Sequence, residues 1–405
     1  MTLNDRLFWI SKEEEIKKAD TTDVYFDYAV KTLNFKHKNP RVVMEVYARK
    51  IPFNGNWAIV NGIYDVAKLL ENLPVSVKSM REGEIFLVNS NSAVYEPVMQ
   101  IEGNYLDFAR YENAILGFLS ASSGIATAAA RIRLAAGDKM LFSFGTRRTH
   151  PALAPCIERA AYIGGFDKVS NVLGAKLLGQ KPVGTMPHSL IQCFGNQNEA
   201  WKAFDEAMPD EIPRIILTDT YFDEKVESLM ALDLFGNKLY GVRLDTISSR
   251  RGNFRKIIEE VRWELNARGA KSVKIFVSGG LDENSVRDLA DIVDGFGVGT
   301  SVSNAPSIDF SQKIVEIISD DKSVYVAKRG DISGRKQVYR NWDKFEDIVT
   351  LAKNNAPEGY QPLLTDLIKN GKIVREFEEE SKIRERVLND IKKVKNNEMK
   401  LKWEI

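Results

Sequence analysis

Residues 273–300 read VKIFVSGGLDENSVRDLADIVDGFGVGT. Val273, Ile275, Phe276 and Val277 make an apolar run of strand length that stops at Ser278-Gly279-Gly280. A segment of helical spacing follows to about Val293, and a second short strand ends in Gly297-Val298-Gly299-Thr300. In a parallel sheet or α/β barrel two such strand ends are neighbours on one face. Glycine, lacking Cβ, lets backbone N–H groups close around a phosphate there. Either cluster alone reads as a sharp turn. The two on consecutive strand ends read as a phosphate cradle, with Ser278, Gly279, Gly280, Gly297, Gly299 and Thr300 as its candidate residues.

Moving outward, the same alternation of strand and helix recurs. Strand-like pieces lie at 140–145, 168–171, 182–186, 214–219 and 239–245, with helical segments such as 198–207, 223–234 and 253–267 between them. Six or seven strands are fewer than a regular barrel carries, so the expected fold is α/β: an irregular α/β barrel. Upstream, strands are expected at 41–49, 56–60, 84–88 and 96–101 and helices at 20–35 and 63–73, which reads as an N-terminal mixed α/β sandwich domain. A long helix rich in Ala, Ser and Gly spans 111–136. Beyond Asp309 come an Asn370-Gly371 hairpin and a charged helix over 377–395 with Ile383, Val387, Leu388 and Ile391 on one stripe. The expected domains are 1–136, 137–309 and a small C-terminal region, 310–405, packing back on the first.

Composition narrows the function classes. The 405 residues include 57 Lys+Arg and 56 Asp+Glu, a net charge of +1. No overall field favours nucleic acid or an anionic membrane, so an anionic ligand must be met by a local basic cluster. No leader of secretory pattern and no apolar run of membrane-spanning length is read in the sequence, which sets the expectation of a cytoplasmic protein. Cys156 and Cys193 are too few for a disulfide framework or a cysteine zinc cluster and read as small core residues.

The strand ends carry the remaining candidates. The first runs Phe144-Gly145-Thr146-Arg147-Arg148, where paired guanidinium groups offer bidentate donors to carboxylate or phosphate. Ser170 and Asn171 follow the second strand, and His188 stands on an expected loop after 182–186. Asp219 and Asp245 close the next two strands, with Arg243 two residues before Asp245. One such aspartate is commonly a helix N-cap. Two beside a phosphate cradle and an arginine pair point to a phosphorylated sugar with a divalent metal.

At these residues the sequence resembles nicotinate phosphoribosyltransferase of the compact archaeal type. The likeness rests on residues 142–190 (FSFGTRRTHPALAPCIERAAYIGGFDKVSNVLGAKLLGQKPVGTMPHSL), LTDTYFDEK, GVRLDTISSRRGNFRKIIEEVRWEL, VKIFVSGGL and GFGVGT, and runs from Thr22 to Arg340. The resemblance implies a type II phosphoribosyltransferase fold and transfer of phosphoribose from phosphoribosyl pyrophosphate to nicotinate, coupled to ATP hydrolysis. It implies Mg²⁺ near Asp219 and Asp245, anion binding by Arg147, Arg148 and Arg243 with Thr146 beside them, and a phosphorylated His188. Phe144 would face the pyridine ring, with Tyr25 of a partner subunit on its other side in a homodimer or larger oligomer of shared sites. Ser170 stands where nicotinamide-using relatives carry an aspartate, which favours the acid over the amide. The cysteine knuckle of some archaeal relatives is missing around Arg340, so no structural zinc is expected. Nicotinamide and quinolinate enzymes share this fold, and a silent phosphate-sugar-binding regulator is the reading outside enzymes.

Overall fold

A computed structural model describes residues 6–319, 322–396 and 398–404. The chain divides into two compact units, Met1–Thr127 with Pro306–Ile405, and Ala128–Ala305.

The first unit is organised on the Arg41–Ala48 strand, RVVMEVYA, in which every residue after Arg41 is buried. Its neighbours on both sides are antiparallel: Pro97–Asn104 from the N-terminal part and Phe310–Ser319 from the C-terminal part. Outside these lie Lys322–Tyr325 on one edge and Ser76–Ser79, Thr365–Lys369 and Lys372–Ile373 on the other, seven strands in all. Val42, Met44 and Val46 enter one core with Leu70, Ile101, Leu119 and Leu367. Glu45, on the opposite alternation, is buried but takes Lys336 Nζ at 2.8 Å and Gln100 Nε2 at 2.8 Å, so its charge is matched. The expected hairpin forms at Asn370-Gly371, both with positive φ. The helix Glu380–Asn396 buries Ile383, Val387 and Ile391 as its spacing requires.

The second unit is a six-stranded sheet with every pairing parallel. Its order is Lys168–Val169, Met140–Ser143, Gly295–Val298, Lys274–Ser278, Leu239–Leu244, Arg214–Leu217. Read around the sheet this is the cyclic order of a barrel, left open between Lys168–Val169 and Arg214–Leu217. The seventh strand expected at 182–186 does not form. Pro182 has no N–H to give, and the segment makes a single ladder-like bond, Val183 N–H to Val169 O at 3.0 Å. Val183 nevertheless packs against the interior cluster of Phe142, Ile215 and Phe276, with Phe144.

Two further expectations are corrected. Against the expectation of no apolar run of membrane-spanning length, the helical stretch Tyr105–Ala136 is long and apolar enough to cross a membrane; 72% of its most apolar window is buried within the protein, as in a core helix. Cys156 and Cys193 are exposed rather than core residues, each on the outer face of its helix.

Candidate active site

The C-terminal ends of Leu239–Leu244, Arg214–Leu217 and Lys274–Ser278 bring one cluster together. Asp245 lies just past its strand, and its N–H donates to Asp219 Oδ2 at 2.7 Å. Ser278 Oγ donates to Asp245 Oδ1 at 2.6 Å, which ties the glycine cradle to the aspartate pair. His188 Nε2 stands 3.6 Å from Asp219 Oδ1 and 3.6 Å from Asp245 Oδ2, and Nδ1 is 3.1 Å from Thr220 Oγ1. His188 is the first residue of the helix His188–Phe194, not a loop residue, because Pro187 ends the extended segment before it.

Burial sets the electrostatics. The Asp219 carboxyl is pushed up to about 6, chiefly because it is buried, with His188 pulling the other way. Burial also works to raise Asp245, but His188 and Ser278 outweigh it and hold that carboxyl below its ordinary value. The Asp245 carboxylate raises His188. Arg243, partly buried beside this cluster, is lowered by desolvation, and Arg147 is near enough to lower it further. Its Nη1 donates to Thr185 Oγ1. Arg147 and Arg148 lie exposed on the turn Thr146–Arg148. Together these groups set two carboxylates beside basic side chains at the strand ends, an arrangement that can stabilise charge of either sign in a substrate.

Asp219 Oδ1 is buried with no hydrogen-bond partner. A buried carboxylate oxygen with no hydrogen bond, in a cluster with a second carboxylate, fits a cation, and Mg²⁺ commonly takes one or two protein carboxylates plus phosphate oxygens and water. Among the described residues no group of three acidic, His or Cys side chains could hold a metal by itself. The protein side of such a site would therefore be Asp219 and Asp245.

The glycines have distinct reasons. Gly279 and Gly280 are consecutive left-handed residues, φ +86° and +63°. A Cβ on Gly279 would come within 3.1 Å of Asp245 O and Oδ1, while one on Gly280 would meet open space. Gly297 sits inside the ladder, opposite Phe142 and Ser278, and a Cβ there would lie 2.4 Å from the Phe144 ring. Its lack of a side chain seats Phe144, which stacks on Phe142 at 6.1 Å. Gly299 and Thr300 begin the short helix Thr300–Ser303.

Ser170 is half-buried, and the buried Glu158 carboxylate holds its backbone N–H and that of Asn171, the latter at 3.0 Å. Tyr25 lies in the other unit on the helix Val24–Phe35 and is 55% exposed. Three contributors were not among the sequence candidates: Thr185, Thr220 and Glu227. Glu227 is buried and accepts the N–H groups of Thr220, Tyr221 and Phe222 at 2.9, 2.8 and 3.0 Å, fixing the turn that carries Asp219 and Thr220. The only sequence signal for the two threonines is their position at strand ends. A hollow of about 530 Å³ lined by Lys139, Trp263, Lys271 and Asp294 lies at the opposite, N-terminal ends of the strands, away from this chemistry.

Residues 125–313 match a family model described as the C-terminal domain of quinolinate phosphoribosyl transferase, and residues 23–123 match its N-terminal domain. A crystal structure titled nicotinate-nucleotide pyrophosphorylase from Pyrococcus furiosus is 52% identical, covers 96% of this chain and 99% of its own, and superposes with a TM-score of 0.91. A nicotinate phosphoribosyltransferase of Mycobacterium tuberculosis is 28% identical over 88% of this chain and 82% of its own length. That of Bacillus subtilis is 27% identical over 83% and 74%. The human nicotinic acid phosphoribosyltransferase structure, 20% identical with a TM-score of 0.72 over 91% of this chain, shares the fold.

Proposed function

The chain belongs to the quinolinate and nicotinate phosphoribosyltransferase family, and from that membership we propose that it transfers phosphoribose from phosphoribosyl pyrophosphate to nicotinate, giving nicotinate mononucleotide and pyrophosphate in NAD salvage. The observation that carries this reading is the single cluster at the barrel's strand ends: Asp219, Asp245 and His188 joined through Ser278 to the two left-handed glycines, with Arg243 alongside.

The pyridine nitrogen is the nucleophile. It forms the new bond to the anomeric carbon as the C–O bond to pyrophosphate breaks and the electron pair leaves with the pyrophosphate. Positive charge on the ribose is stabilised by the Asp219 and Asp245 carboxylates, and negative charge on the leaving group by Arg147, Arg148 and Arg243. Phe144 bounds the base, Thr146 and Ser170 supply hydroxyl donors to its carboxylate, and the 278–280 and 297–300 ends receive the 5′-phosphate. Asp219 and Asp245 would hold Mg²⁺, which when bound neutralises charge on pyrophosphate. Binding all partners in line supplies much of the rate.

The same proposal includes ATP as co-substrate, with His188 accepting its phosphoryl group, and a second subunit whose Tyr25 closes the base pocket. The exposure of Tyr25 together with Val24 and Tyr28 on one helix supports the latter. The reading also places the protein in the cytoplasm. Quinolinate is the second reading, favoured by the description of the matching family model. Incubating the pure protein with phosphoribosyl pyrophosphate, Mg²⁺ and, in turn, nicotinate, nicotinamide and quinolinate decides. Nicotinate mononucleotide from nicotinate alone is the expected result, and its formation only from quinolinate with release of CO₂ would replace it.

A further inference from the structure

Arg251 follows the Asp245 strand end in the turn Ser248–Arg251, and its guanidinium reaches back across two strand ends. Nε and Nη2 donate to Thr246 O at 3.0 and 2.7 Å. Nη2 also lies 3.4 Å from Ser278 O and donates to Gly279 O. The group stands over the Phe254 ring, 4.4 Å from its centroid, so its plane is fixed on one side by an aromatic face. A Cβ added to Gly279 would come within 3.2 Å of Arg251 Nη2. Two of the three guanidinium nitrogens are therefore committed to backbone carbonyls, and they hold the first left-handed glycine in place. Nη1 has no hydrogen-bond partner among the described residues, although the side chain is only partly exposed.

We infer that Arg251 completes the 5′-phosphate subsite: Nε and Nη2 tie the Thr246 and Gly279 strand ends together, and Nη1 is the charged donor to the phosphate that the glycine backbone receives. This rests on the phosphoribosyl reading given above. The argument is one of charge. A phosphate dianion taken up by backbone N–H groups alone keeps both charges, and beside Ser278 stands the Asp245 carboxylate at 2.6 Å, which opposes it. A cation held within the same turn offsets that repulsion, and a guanidinium fixed in plane presents its free edge without further ordering. Arg147 and Arg148 follow Met140–Ser143, the strand beside Gly295–Val298, and the proposed function gives them to the pyrophosphate.

The test uses the full-length chain and two probes, ribose 5-phosphate and inorganic pyrophosphate, with binding measured by calorimetry for the wild type, Arg251→Gln and Arg251→Lys. Arg251→Gln should weaken ribose 5-phosphate by about tenfold or more, the scale of a lost charge-assisted hydrogen bond, and leave pyrophosphate within about twofold. Arg251→Lys, which keeps the charge but not the fork, should fall between; if the glutamine variant does not fold, the lysine variant carries the same comparison. Unchanged ribose 5-phosphate binding in a folded variant would overturn the inference, and so would an equal loss of both probes, which indicates a general collapse of the strand ends. A wild-type protein that binds neither probe overturns the phosphoribosyl reading itself, an outcome visible before any variant is made.

Discussion

Three side chains show how local environment and role are connected. Asp219 is nearly buried, and its carboxyl lies at about 6 instead of the ordinary 3.8. Protonation is thus retained further up the pH scale in the folded than in the unfolded chain. The contribution to stability is complete below about 4 and is lost as pH rises through 6. Asp219→Asn removes that penalty: the ligand-free variant should gain on the order of 1–3 kcal/mol over wild type at pH 8 and little at pH 4 in urea unfolding, while losing transferase activity. His188→Ala should abolish ATP stimulation and leave slow ATP-independent synthesis; full stimulation in the variant would assign His188 a structural role only. Ser170 sits on backbone already gripped by the Glu158 carboxylate, so a further carboxylate at this point would face both the substrate and Glu158. Ser170→Asp should weaken nicotinate use by about 2 kcal/mol or more, read as kcat/KM, from like-charge repulsion and a lost donor.

The strands and helices of the barrel are legible as short continuous apolar runs bounded by turn residues, as in Lys274–Ser278, or as a 3.6-residue apolar period, as in Phe254–Ala267. Residues 182–186 deceived for the same reason. Val183 and Met186 have strand-like character, and both are turned inward, yet flanking prolines leave the backbone almost unpaired. Aspartates, arginines and glycines at strand ends could be picked out by type and position. Glu227 and Arg251 could not, because what they bind is backbone: three N–H groups in one case, carbonyls of two separate strands in the other. Main-chain partners leave no mark in a sequence. The turn after Arg214–Leu217 depends on Glu227 in this way, and Glu227→Ala strands three donors. It should cost about 3 kcal/mol in chemical denaturation and lower kcat more than it raises KM for the base, since Asp219 and Thr220 are what it positions. A loss of stability with unchanged kcat would show that the turn holds its shape without the carboxylate.

At the scale of the whole molecule, the exposed row of Val24, Tyr25 and Tyr28 has the spacing of a contact face, and the proposed function needs Tyr25 from a second copy. Specific activity should fall on dilution in step with the dimer fraction measured by light scattering, and Tyr25→Ala should raise KM for nicotinate; a monomer active at full rate excludes the shared site. The layout of the first unit bears on how the protein is made. Arg41–Ala48 leaves the ribosome early, but its partner Phe310–Ser319 is synthesised only after the whole of Ala128–Ala305. At about 5–20 residues per second that interval is roughly 13–50 s. Throughout it the nascent sheet has one open edge, while the six-stranded sheet between can already make all its own pairings. Translation therefore reverses the order suggested by the numbering: the inserted unit is free to mature first, and the unit that begins the chain is the last to be completed, with an unpaired strand for chaperones to guard in the meantime.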